Sequence, residues 1–143
     1  MKVKIIGMGA LGVMYANYIK ERAGEDAVCF VMDSSRLERY EGQVFLCNKK
    51  EQTFCMEDSE KAEKADLVIV AVKYNGLASA IETMKHCVGD GTIIMSVMNG
   101  ISSEDRIAAQ YGADKMIYTV AQGMDAMKFG NELRYTQMGE LRI

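Results

Sequence analysis

Lys2-Val-Lys-Ile-Ile-Gly7-Met-Gly9-Ala-Leu-Gly12 decides the fold: a β-rich apolar run breaks at three glycines in GxGxxG spacing, and Leu11, Met14, Tyr15, Tyr18 and Arg22 then recur at helical spacing as far as Gly24. A second short apolar run, residues 27–32, ends at Asp33. The glycine spacing has a physical meaning in this strand, loop, helix, strand context. Gly7 takes backbone angles closed to other residues, Gly9 lets a pyrophosphate approach the main chain, and Gly12 lets the helix pack against the strand while its first amides face the phosphates. The sequence therefore predicts a dinucleotide-binding loop made of Gly7, Met8, Gly9, Ala10, Leu11 and Gly12.

Outward from that unit, Ser35 with Glu38 reads as a capping box for a helix through Tyr40. Residues 44–47 and 52–56 flank a polar turn and predict an inserted hairpin, and the charged stretch 57–65 predicts a short exposed helix. Residues 67–72 are continuously apolar, as a parallel strand covered on both faces must be. A helix marked by Leu77, Ile81 and Met84 and ended by Gly89 follows, then a buried strand over 92–98 and the pair Asn99-Gly100. Ser102 or Ser103 caps the next helix, which runs to Tyr111, with a strand over 116–120 beyond it. Residues 127–143, broken by glycines, read as short antiparallel strands at the sheet edge. The pattern specifies an α/β fold, one domain over residues 1–143, with a doubly wound, mostly parallel (Rossmann-like) sheet and antiparallel edge strands.

Composition removes several functions. The chain has 143 residues, 17 basic against 20 acidic, a formal charge of −3, and scattered lysines, so it lacks the basic footprint of a nucleic-acid or anionic-membrane binder. No apolar run approaches the length of a membrane span and no secretory signal opens the chain, which predicts a cytoplasmic protein. Cys29, Cys47, Cys55 and Cys87 match no CxxC spacing and read as reduced, mostly buried thiols. With His86 as the single histidine, placed near a helix end, no metal site is expected. Most of the 12 methionines fall within apolar periodic runs, so the methionines read as core filler and not as a binding surface.

Four further positions carry chemistry. Asp33, at the end of the second strand, suits the ribose hydroxyls of NAD, whereas Ser34 and Arg36 just beyond it suit a 2′-phosphate, so the sequence leaves NADPH and NADH both open. Lys73 ends the central apolar run, and Asn99 ends the next strand; in an open α/β sheet these are ligand-facing ends. Asn-Gly is also an ordinary turn pair, but here it joins a strand to a helix.

The N-terminal glycine loop, Val-Ala-Val-Lys73, Met-Asn99-Gly100-Ile, and the Gly130-Asn-Glu-Leu and Gly139-Glu-Leu-Arg-Ile stretches together resemble the ketopantoate reductase (2-dehydropantoate 2-reductase) family, over essentially the whole chain. The resemblance implies NADPH-dependent reduction of 2-dehydropantoate to pantoate, a step of pantothenate biosynthesis, with Gly7 to Gly12 on the pyrophosphate and Lys73 and Asn99 as catalytic contacts beside nicotinamide and substrate. The family's basic group for the 2′-phosphate usually stands where this sequence has Asp33 and then Ser34-Ser35-Arg36. The resemblance also implies a helical second domain, expected beyond Ile143, that supplies the principal catalytic lysine and a glutamate, so this stretch alone should bind cofactor without turnover. The implied partners are a small keto acid and that second domain; a homodimer is left open. Two alternatives stand beside this reading: another two-domain 2-oxo or 3-hydroxy acid dehydrogenase, and a non-enzymatic regulatory NAD(H)-binding module.

Overall fold

The computed structural model describes residues 1–98 and 102–143. The chain runs β1 (Val3–Ile6), α1 (Ala10–Ala23), β2 (Val28–Met32), α2 (Ser34–Tyr40), β3 (Phe45–Cys47), β4 (Lys50–Gln52), β5 (Cys55–Asp58), β6 (Leu67–Val70), α3 (Leu77–Thr83), β7 (Ile93–Ser96), α4 (Ser102–Tyr111), β8 (Met116–Ile117), β9 (Val120–Met124), β10 (Met127–Phe129), β11 (Glu132–Arg134) and β12 (Met138–Arg142). Six strands form a wholly parallel sheet in the order β5-β2-β1-β6-β7-β8. The order reverses between β1 and β6, and that reversal opens a crevice at the carboxyl ends of the two strands.

Strand alternation divides the core. Val3 and Ile5, Val28, Phe30 and Met32, and Ile69 face one cluster with Val13, Met14 and Ala16 of α1. Ile6, Val31, Val68 and Val70 face the other, with Leu77, Ala80 and Met84 around α3 and Ile107 of α4. The helix α1 is buried at every residue from Gly12 to Asn17, because β3 and β11 add Phe45, Cys47 and Leu133 on its far side. A helix covered on two sides cannot show a clean amphipathic stripe.

Several expectations change. The hairpin's second arm is β4, not residues 52–56; its two-residue turn, Asn48 and Lys49, takes positive φ of 49° and 71°, the geometry that matches strand twist. The chain then turns into β5, which lies parallel to β2. The helix expected over 57–65 is absent, because Asp58 accepts from the Glu60 amide at 2.9 Å and Ser59 donates back to the Met32 carbonyl at 2.8 Å, which holds an extended turn. The single strand expected over 116–120 divides: β8 closes the central sheet and β9 leaves it. The antiparallel strands expected after residue 127 are present, in two further sheets, β10-β11-β3-β4 and β12-β9.

The reading of four reduced thiols is corrected for two of them. Cys29 and Cys55 are register partners across β2 and β5, with Cα atoms 4.6 Å apart, and are joined in a disulfide that their separation of 26 residues did not signal. Cys47 and Cys87 are free and buried, and burial pushes both thiols up to about 11. The native protein is therefore expected to show no fast-reacting thiol with Ellman's reagent at neutral pH, and to gain exposed Cys55 once a reductant opens the bridge. Rapid labelling before reduction would contradict the pairing.

Candidate cofactor site

The carboxyl ends of β1, β2, β6 and β7 surround a cavity of about 800 Å³. Its floor is the glycine loop, and the three glycines there do different work. Gly7 has φ of 110°, and a Cβ on it would run into the Ala71 carbonyl just past β6. A Cβ on Gly12 would strike the Gly7 carbonyl, so the first turn of α1 can sit directly on the loop. Around Gly9, in contrast, an added Cβ meets nothing within 4 Å. Gly9 is also the N-cap of α1 and no side chain caps that end, so the first amides of the helix are left for a ligand, and Met8, Gly9, Ala10 and Leu11 line the cavity. That combination fits the phosphates of a dinucleotide.

One wall comes from α2. Arg36, Arg39 and Tyr40 line the cavity, whereas Asp33 and Ser34 lie off its lining. The Asp33 carboxylate is occupied as the N-cap of α2: Oδ1 accepts from the Ser35 hydroxyl at 2.6 Å and from the Arg36 amide at 2.9 Å, and Oδ2 is 3.6 Å from Arg36 Nε. The Ser35 hydrogen bond, followed by the Arg36 amide, holds its pKa below the usual carboxylate value. The capping box expected from Ser35 and Glu38 is thus replaced by an aspartate cap two residues earlier. Arg39 and Tyr40 were missed by sequence reasoning, although their spacing of three and four residues from Arg36 places all three on one helical flank.

Lys73, exposed at the exit of β6, lines the cavity with Tyr74, Asn75 and Gly76 and makes no ion pair among the described residues. Val97 and Met98, beyond β7, form the end opposite α2. Asn99 lies outside the described residues. His86 is not among the lining residues; it is half-buried, with Nε2 3.5 Å from Glu60. Among the described residues, Arg36, Arg39 and Lys73 thus give the cavity three cationic side chains and no acidic side chain lines it, in a chain whose formal charge is −3. Among the described residues no helix is long and apolar enough to cross a membrane.

A wholly parallel, doubly wound sheet with a glycine loop at its switch point and a cationic crevice defines the class: a Rossmann-type domain. Residues 3–143 match the ketopantoate reductase PanE/ApbA family, and the chain belongs to it. It is 31% identical over 121 residues to 2-dehydropantoate 2-reductase of Aquifex aeolicus, covering 82% of this chain and 37% of that protein. It is 29% identical over 109 residues to the Pyrococcus abyssi enzyme of the same name, covering 75% and 36%. The crystal structure of 2-dehydropantoate 2-reductase from Geobacter metallireducens superposes with a TM-score of 0.78 at 25% identity, over 99% of this chain and 48% of that one. D-mandelate dehydrogenase, solved with NADH, shares the fold with a TM-score of 0.79 at 19% identity, over 99% and 47%. The chain therefore spans just over a third of the curated relatives it matches and about half of the solved ones.

Proposed function

We propose that this chain is the cofactor-binding half of an NADPH-dependent reductase acting on 2-dehydropantoate. The observation that carries the reading is the cavity lined by Arg36, Arg39 and Lys73 and, among the described residues, by no acid, arranged around the open Gly9 and the uncapped end of α1. A dinucleotide with an additional phosphate is the nicotinamide cofactor that such a charge distribution favours. Asp33 suggested NADH, but its carboxylate is engaged by the start of α2 and lies off the lining, which supports the phosphorylated form.

When bound, the reduced nicotinamide supplies a hydride to the ketone carbon of the substrate. The amides of α1 and the glycine loop hold the pyrophosphate, and the α2 arginines hold the adenosine end. That polarity leaves Val97, Met98 and, by family resemblance, Asn99 at the nicotinamide end. Lys73, on the same edge, is placed to attract the keto acid's carboxylate, and Asn99 to orient its carbonyl. The alkoxide oxygen needs a proton donor within hydrogen-bond reach. His86 is directed to Glu60, away from the cavity, so the reading assigns the proton to a lysine of the helical second domain that the family resemblance implies.

Fluorescence titration of the 143-residue chain tests this directly. NADPH is expected to bind at least about tenfold tighter than NADH, and adding 2-dehydropantoate should leave NADPH oxidation at background. Absence of binding by both cofactors would overturn the reading, and steady turnover would move the proton donor into this chain, with Lys73 the candidate.

A further inference from the structure

Glu104 is a buried carboxylate that none of the chemistry above uses. Its relative exposure is 6%, in the first turn of α4, six residues after Met98 of the cavity lining. Oε2 accepts from the backbone N–H of Thr119 at 3.0 Å. Thr119, itself 5% exposed, stands where β8 has left the central sheet and β9 has yet to enter its own, and its hydroxyl turns back to donate to the Ile117 carbonyl at 3.1 Å. The amide between two ladders needs an acceptor, and Glu104 provides it.

The neighbouring residue makes a parallel attachment. Ser103 Oγ lies 3.1 Å from Ser96 Oγ on the last residue of β7, and the Met98 amide donates to that same Ser96 oxygen at 3.4 Å. Consecutive residues of α4 thus tie the helix to the carboxyl ends of two adjacent strands, one of which leads into the cavity edge. Burial raises the Glu104 pKa, and the Thr119 amide opposes that rise. A buried carboxylate is a costly way to accept one hydrogen bond unless the position of its partner matters.

We propose that Glu104 is a positioning residue for the nicotinamide end of the cavity, fixing the exits of β7 and β8 against each other through Thr119. This rests on the cofactor reading above. The adenosine end, held by α2 and the glycine loop, does not depend on it, and that asymmetry supplies the test.

Two probes separate the ends: NADPH, whose bound fluorescence reports the nicotinamide environment, and adenosine 2′,5′-bisphosphate, which has no nicotinamide. Glu104→Ala leaves the Thr119 amide without its acceptor and should lower NADPH affinity about tenfold, with loss of the fluorescence enhancement, while bisphosphate affinity stays within about twofold. Glu104→Gln retains an acceptor oxygen and should restore both signals. If Glu104→Ala does not fold, Glu104→Asp, with its oxygen drawn back by one methylene, should give the same split at smaller amplitude. Wild-type NADPH signals in the alanine variant, or equal weakening of both probes, would overturn the proposal. Wild-type protein that binds neither probe would instead remove the cofactor reading itself, and this proposal with it.

Discussion

Gly9→Val is expected to reduce NADPH affinity by at least about 100-fold, roughly 2.8 kcal/mol, while leaving the folded domain nearly as stable as the wild type. The two halves of this expectation have separate causes. A Cβ at Gly9 meets no protein atom within 4 Å, so the added side chain projects into the space that the pyrophosphate would need. Its backbone, at φ −75° and ψ −171°, is open to any L-residue, so the cost in stability is limited to a poorer N-cap, below about 1 kcal/mol. Gly7→Ala and Gly12→Ala should behave in the opposite way. Each puts a carbon into a backbone carbonyl, and Gly7 also has a positive φ, so both should lower Tm sharply before binding can be measured. Thermal unfolding alongside NADPH titration distinguishes the classes, and a Gly9→Val protein that binds NADPH normally would refute the loop assignment.

That division among three glycines was only partly legible in the sequence. Their spacing after a β-rich run was enough to place a strand, a turn and a helix, because those elements are set by local periodicity and by the backbone freedom of glycine. The parallel core strands were equally readable, since Ile5, Phe30, Ile69 and Ile94 sit in apolar runs too short for helices. What could not be read depends on partners distant in the chain. Cys29 meets Cys55 only because β5 crosses an inserted hairpin to lie beside β2. The chain leaves the central sheet near Thr119, where Glu104 takes its amide, and nothing in the apolar run 116–120 announces that break. Asp33 stands at a strand end, where a ribose ligand is usual, and the sequence does not show that its carboxylate also caps a helix, taking the Arg36 amide and the Ser35 hydroxyl. The cationic wall was half legible: Arg36 stood in the expected place, but Arg39 needed the helix to be seen from the cavity.

Arg36→Ala is expected to weaken NADPH about 10-fold or more and to leave NADH nearly unchanged, and Arg36→Ala with Arg39→Ala to erase the preference altogether. A charge-assisted contact to a phosphate contributes about 1.5 to 3 kcal/mol, so a guanidinium that reads the 2′-phosphate must show its loss in one cofactor and not in the other. The exposed setting of Arg36, with its side chain 54% accessible, places the effect toward the lower end of that range and makes it fall with added salt. Asp33 supplies an independent check from the opposite direction. Its Oδ2 stands 3.6 Å from Arg36 Nε, so the carboxylate competes with any phosphate for the guanidinium. Asp33→Asn can keep an oxygen for the Arg36 amide and the Ser35 hydroxyl while removing the charge, so α2 should persist and NADPH should bind more tightly relative to NADH. Equal weakening of both cofactors by Arg36→Ala, together with no change in preference on Asp33→Asn, would place the 2′-phosphate away from α2 and leave the arginines as surface charge.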